Sequence, residues 1–384
     1  MARFVRFCLF ALLSAPGVIS NPALADDLLS KAELGEVLFF DTSFSKNRNQ
    51  ACASCHDPAS GFTDPRDNEA GGAVSLGDDE TSLGDRNAPT ASYAALTPLF
   101  TRTKDGTYKG GQFHDGRASS LTDQAQGPPL NPIEMGMADE ASVVERLKEN
   151  ELYVENFKAL FGDDIFDDAH KAFVALADTI AAFEKTEFFA PFDSKYDRAL
   201  RGDYKMTPQE ELGMTLFFSQ QFTNCNQCHQ LKPIGGSAGE TFTNSEYHNI
   251  GVPTNQTVRA ANGMAPDHQD LGLFENPAVD DPAQKGKFKT PGLRNIAVTG
   301  PYMHNGVFAD LMTVIKFYNK YNSKSAAAQI NPETGQPWAA PEVPENLSMT
   351  ELEHGDALDE KRMKALVAFL KTLTDQRYEH LLDE

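Results

Sequence analysis

The chain has 384 residues, with 34 Lys and Arg against 55 Asp and Glu, a formal net charge of −21 and 40% apolar residues. So acidic a surface repels nucleic acid and anionic lipid and steers a basic redox partner, although it serves solubility equally well. The length exceeds that of one ordinary domain, and two are expected.

Residues 1–25 read as a secretory leader: Arg3 and Arg6, an apolar run near "FCLFALLSAPGVI", then "ALA" before Asp26. The leader holds two Arg and no acid, so without it 32 basic residues face 55 acidic ones, a net charge of −23. No later segment reaches roughly 18 uninterrupted apolar residues, the length of a membrane-spanning helix. A periplasmic protein without a membrane span is the expectation.

Next in the chain comes "ELGEVLFF" (Glu33–Phe40), followed by "CASCH" with Cys52, Cys55 and His56. The same pair recurs as "ELGMTLFF" (Glu211–Phe218) and "CNQCH" with Cys225, Cys228 and His229. A recurring helix ahead of each motif points to an internal duplication. Export permits disulfides, yet beyond Cys8 of the leader the cysteines come only as these two pairs, and a disulfide framework has no need of the adjacent His. In Cys-x-x-Cys-His the thiols add to the vinyl groups of a haem and the imidazole becomes the proximal iron ligand. Two covalently attached c-type haems are therefore expected, with thiol redox chemistry or zinc as the weaker readings.

A loop rich in Gly, Pro and Asp runs over 57–92. Phe173, Leu176, Ala177, Ile180 and Phe183 then form a helical stripe, and the periodicity lapses over 187–206, where a boundary is placed between domains 26–190 and 191–384. Leu311, Val314, Ile315 and Tyr318 make a second inward stripe. A loop over 323–350 carries Trp338, and Met363, Leu366, Val367, Leu370 and Leu373 make a third stripe. The fold class is mainly α: two cytochrome c-like haem domains related by duplication, with long loops and little β.

Motifs beyond the haem sites carry a resemblance: "LGEVLFFD", "RNAPT" (Arg86–Thr90), "HDGRASSLTDQAQGPPLNPIEM" (His114–Met135), "HNIGVP" (His248–Pro253), "FKTPGLRNIAVTGPYMHNG" (Phe288–Gly306) and "LVAFLKTLTD". With them the whole chain past the leader resembles the bacterial di-haem cytochrome c peroxidase and MauG family. The resemblance implies a peroxide-reacting haem in the N-terminal domain and a six-coordinate electron-transfer haem in the C-terminal one. It makes Glu134 the distal acid/base that moves a proton between the peroxide oxygens, with Gln124 and Pro128 lining that pocket. It also implies a calcium ion between the domains, held by Asn87 and the backbone carbonyls of Thr299 and Pro301; on its own "RNAPT" reads as a turn. His248 resembles a family residue near the second haem, and a structural role is expected for it.

Three departures or choices matter. In many peroxidases of the family a His in the loop after the first motif caps the iron at rest; here no His lies between His56 and His114, so a five-coordinate first haem is expected. The peroxidases have a Met fourteen residues beyond the His of the "PY-x-H" motif, and counting from His304 this chain has Tyr318, the MauG-like pattern, with Met303 or Met312 as the alternative ligands. A phenolate is a harder, anionic donor than a thioether and disfavours ferrous iron. Finally, His114 stands where the family usually has a Trp between the haems; imidazole is harder to oxidise, which weakens charge sharing, and the single Trp338 sits in a Pro-rich loop. The reading is a di-haem oxidoreductase that reacts with hydrogen peroxide and uses high-valent haem iron to oxidise a partner protein, with Trp side chains as the family precedent. The alternative is a cytochrome c peroxidase drawing electrons from a small cytochrome or cupredoxin; a non-catalytic electron carrier is the third reading.

Overall fold

The computed structural model describes residues 28–383, so the leader expected at 1–25 lies outside the described residues. The N-terminal half contains α1 (Lys31–Phe40), α2 (Cys52–Cys55), α3 (Leu121–Ala125), α4 (Gly127–Leu130), α5 (Glu140–Lys148), α6 (Glu151–Phe161) and α7 (Ala169–Glu184). The C-terminal half contains α8 (Lys195–Arg201), α9 (Pro208–Phe217), α10 (Cys225–Cys228), α11 (Gln256–Asn262), α12 (Leu311–Asn322), α13 (Met349–Leu352) and α14 (Glu360–Lys371). Among the described residues, strand is confined to two antiparallel pairs, β1 (Thr101–Arg102) with β2 (Tyr108–Lys109) and β3 (Tyr247–His248) with β4 (Phe288–Lys289). Among the described residues no helix is long and apolar enough to cross a membrane.

The repeated helix explains itself locally. Ser30 and Glu33 close a capping box at the start of α1, and Thr207 and Glu210 do the same for α9. One turn in, each helix places a glycine against a long partner: a Cβ on Gly35 would strike the Thr179 carbonyl of α7, and one on Gly213 would strike the Ala365 carbonyl of α14. Only glycine lets the paired backbones approach so closely. Both partner helices turn the stripes read from the sequence inward, with Phe173, Leu176, Ala177, Ile180 and Phe183 buried on α7 and Met363, Leu366 and Leu370 buried on α14.

Each half has its own apolar cluster, one drawn from residues between Leu34 and Phe189, the other from residues between Tyr196 and Leu373. The two are built alike. Phe189 lies 5.6 Å from Phe39, 4.4 Å from Phe62 and 5.0 Å from Phe183 by ring centroid. In the second half Phe217 lies 5.8 Å from Phe242 and 5.2 Å from Phe369. Burying one such ring contributes roughly 1.5–3 kcal/mol.

The stretch 187–206, over which the helical periodicity lapses in the sequence, contains α8. Its local cause is a second-residue signal too short for periodicity to show: Ser194 and Asp197 form a capping box, Tyr196 is fully buried, and Arg294 Nη2 donates to Asp197 Oδ1 at 2.9 Å inside the core. Across the halves, Arg86 bridges Asp115 and Asp270 at 2.6 Å each and Glu275 at 2.8 Å. Tyr93 donates to Asp375 at 2.6 Å, and near the chain's end Tyr378 reaches back to the Pro58 carbonyl at 2.8 Å.

Candidate haem sites and the cavity beside them

Both Cys-x-x-Cys-His motifs fold as one helical turn, α2 and α10, with the His just past its end. His56 Nδ1 lies 3.2 Å from the Phe62 carbonyl, and His229 Nδ1 lies 3.0 Å from the Phe242 carbonyl. Those two phenylalanines are matched in a further respect: both are fully buried and both have left-handed backbones, φ 58° and 59°. A non-glycine residue accepts that conformation at a cost of about 1 kcal/mol or more, and here it aims a carbonyl at the imidazole. Burial holds both rings neutral, His229 down at about 4. Nδ1–H is then donated to the carbonyl and Nε2 keeps its lone pair, the arrangement a proximal iron ligand requires.

None of the four motif cysteines is paired in a disulfide. In each motif both sulfurs stand on one helical turn with the His at its end, which suits addition to the two vinyl groups of a haem.

Beside the second motif lies a cavity of about 350 Å³, lined by Cys225, Cys228, His229, Tyr318, Met303, His248 and His304 among others. Leu311, Val314 and Ile315 of the α12 stripe line it too. Burial first, then the neighbouring Cys228 and Cys225 sulfurs, push the Tyr318 phenol above its ordinary range, which puts it beside the haem attachment site. Of the two alternative ligands Met303 lines the cavity, with a left-handed φ of 74°, whereas Met312 is not among the lining residues. His248 Nε2 and His304 Nε2 are buried without a partner, and both side chains line this space. His304 is stacked on Phe288 at 3.6 Å between centroids. Two orphaned imidazole nitrogens in one cavity fit the carboxylates of a haem.

The same cavity extends to His114, Asn87, Thr299 and Pro301. His114 Nε2 lies 2.9 Å from the Asn87 carbonyl. Burial pulls the ring down to about 4, with the Arg86 and Lys289 charges adding to the shift, so it is neutral and donates through Nε2. Asn87 meanwhile donates its side-chain amide to the Ala73 carbonyl at 2.9 Å.

In the N-terminal half, Pro128 and Glu134 belong to one folded turn: Met135 N donates to the Pro128 carbonyl at 3.2 Å and Glu134 N to the Asn131 carbonyl at 3.0 Å. Asn131 Nδ2 also donates to Glu134 Oε1 at 2.9 Å. Burial raises the Glu134 carboxyl, and Asn131 and the Arg117 charge offset part of that rise. Glu134 lies close enough to Cys55 to act on its charge. Gln124 stands half-buried on α3 and shares no hydrogen bond with Glu134.

Sequence reasoning passed over Glu184. It continues the α7 stripe four residues beyond Ile180, is 6% exposed, has Oε2 without a partner and lies near Cys52. Burial pushes it up to about 8. A lone acid on an otherwise apolar face was the available signal.

With this geometry in place, comparison with known proteins is informative. The di-haem cytochrome c peroxidase family pattern matches residues 29–205. The chain is 56% identical to methylamine utilization protein MauG of Paracoccus denitrificans over 97% of this chain and 95% of that one. It is 32% identical to cytochrome c551 peroxidase of Nitrosomonas europaea over 77% and 74% of the two chains. The solved diheme peroxidase BthA of Burkholderia thailandensis superposes with a TM-score of 0.79 at 32% identity, covering 91% and 86%. The chain belongs to the di-haem cytochrome c peroxidase and MauG family and is a peroxide-reacting oxidoreductase with two c-type haems.

Proposed function

We propose that the protein takes two oxidising equivalents from hydrogen peroxide and uses them to oxidise a side chain of a partner protein, with Trp as the favoured target. The observation that carries this reading is Tyr318, a phenol rather than a thioether in the cavity of the second motif. The 56% identity to MauG supports it. When bound, the haems supply the redox chemistry and the site at which the O–O bond is cleaved.

The chain's own residues do the rest. His56 and His229, aimed by the Phe62 and Phe242 carbonyls, would hold the irons through Nε2. Glu134 is the distal acid/base: Oε1 is fixed by Asn131, which leaves Oε2 to take and return the proton, and its raised affinity suits that exchange near neutral pH. Gln124 and Pro128 border the space in which peroxide sits. Domains 26–190 and 191–384 would each carry one haem after export to the periplasm and removal of residues 1–25. Asn87 Oδ1 with the Thr299 and Pro301 carbonyls would hold calcium by hard oxygen donors.

The test is ferric-state EPR with optical spectra, before and after one equivalent of peroxide, on the wild type and on Tyr318→Met. Expected are one high-spin and one low-spin signal, no methionine–iron charge-transfer band, loss of both signals with peroxide, and a raised second-haem potential in the variant. Peroxide turnover supported by a reduced cytochrome, together with a methionine band in the wild type, would return the protein to the ordinary peroxidases.

A further inference from the structure

The turn Gln376–Asp383 follows α14, yet two of its side chains end on the loop of the first half that aims His56. That loop runs from Asp57 to Thr63, closed by Asp57 N donating to the Thr63 carbonyl at 3.1 Å and Phe62 N donating to the Asp57 carbonyl at 2.9 Å. Tyr378, fully buried, donates its phenol to the Pro58 carbonyl at 2.8 Å. Arg377 lies over the Phe62 ring at 5.2 Å and the Phe188 ring at 5.0 Å, and its Nη2 donates to the Phe188 carbonyl. One grip is therefore on the backbone where the loop begins, and the other is on the ring of the residue whose carbonyl meets the imidazole.

The turn is itself anchored in the second half. Gln376 N donates to Asp193 Oδ1 at 2.9 Å, Arg198 of α8 donates to Glu379 at 2.5 Å, and just ahead of the turn Asn295 Nδ2 donates to Asp375 at 2.9 Å. The second half steadies its own imidazole from within. There the Glu240 carboxylate accepts from Leu231 N and Lys232 N at 2.9 Å and from Phe242 N at 2.8 Å. Arg294 Nε donates to the Glu240 carbonyl at 2.9 Å, and its guanidinium lies 5.3 Å from the Phe242 ring. A guanidinium over the aiming phenylalanine thus recurs in both halves, but the first half takes its guanidinium from the second. Because a left-handed phenylalanine is held against its backbone preference, the groups that grip it decide where its carbonyl points.

We propose that Arg377 and Tyr378 are positioning residues for the first haem: from the second half they fix the Asp57–Thr63 loop so that the Phe62 carbonyl receives the His56 Nδ1 proton. This rests on the assignment of His56 to the first iron made above. The hydrogen bond at one ring nitrogen sets how strongly the other donates to a metal. A carbonyl held in place makes the imidazole a stronger donor, which favours oxidised iron and the cleavage of peroxide. The chemistry of the first haem therefore depends on the seam between the halves as well as on the half that attaches it.

The test is resonance Raman spectroscopy of the iron–imidazole stretch in dithionite-reduced holoprotein, with redox titration and stopped-flow peroxide kinetics, on the wild type, Tyr378→Phe and Arg377→Lys. Tyr378→Phe deletes one hydroxyl, and Arg377→Lys keeps the charge while losing the flat guanidinium. Labelling with ¹⁵N-histidine identifies the band. Expected in both variants are a stretch at lower frequency, a higher first-haem midpoint potential and a peroxide reaction about tenfold slower, with the low-spin signal of the second haem unchanged. Variants that unfold at lower temperature but keep the wild-type band, potential and rate would show a merely structural contact and refute the proposal. A wild-type band that ignores the label overturns the assignment of His56 and this proposal with it. A labelled band that both variants shift, in a protein that does not respond to peroxide, overturns the proposed function and leaves the positioning role standing.

Discussion

Glu184 gives a prediction whose sign follows from its burial. An ordinary glutamate loses its proton near 4.5; burial in the folded protein raises Glu184 to about 8, with only Lys185 opposing. Between those values the folded chain holds a proton that the unfolded chain has released, so stability falls as pH rises. The contribution is fully present below about 4.5 and is lost as pH climbs toward about 8. Each pKa unit corresponds to about 1.4 kcal/mol, so between about pH 5 and about pH 7 the wild type loses about 3 kcal/mol that a non-titrating residue would keep. Glu184→Gln keeps the shape and removes the titration. Urea unfolding of the holoprotein at both pH values, wild type against variant, reads the difference directly. Parallel pH dependences would show that Glu184 is solvated or ionised in the fold and would refute the reasoning.

Two further outcomes follow from the geometry. Glu134→Gln removes the group that exchanges the peroxide proton, and stopped-flow spectra should show peroxide reacting roughly 10²–10⁴-fold more slowly with unchanged ferric spectra; an unaltered rate removes Glu134 from the mechanism. Arg86→Met leaves the buried Asp270 carboxylate without its cation and leaves Asp115 with Arg117 alone. The loss should be about 3–5 kcal/mol in denaturant unfolding, and a loss below about 1 kcal/mol would mean the network is hydrated.

What was legible in the sequence is what is local. The helical stripes of α7, α12 and α14 could be read because apolar spacing reports the buried face directly. The proximal half of each haem site could be read because five consecutive residues carry it. Other features lie beyond such reading. The left-handed Phe62 and Phe242, whose carbonyls orient the two imidazoles, are ordinary phenylalanines in sequence; only the fold forces φ positive there. The α8 turn was missed because seven residues give periodicity too little room, although its capping box was present. Met312 was kept as a ligand candidate because spacing on a helix does not say which neighbours reach the cavity, and it does not line it.

The duplication also explains where the two sites must differ. Gly35 and Gly213, the capping boxes, the aromatic clusters and the carbonyl-to-imidazole contacts recur in both halves, so the two imidazoles are oriented alike. On the function proposed above, the division of labour comes from the distal sides, which are supplied by segments outside the repeated motif. On that proposal the first segment is the Asn131–Met135 turn with the Glu134 carboxyl, and the second is α12 with the Tyr318 phenol, which Phe317 and Trp338 back. A carboxyl with raised proton affinity suits bond cleavage at the first site, and an anionic oxygen donor suits holding an oxidising equivalent at the second. Exchanging the distal groups while leaving the proximal pair intact should therefore exchange the roles of the haems, whereas changing Phe62 or Phe242 should disturb each site in the same way.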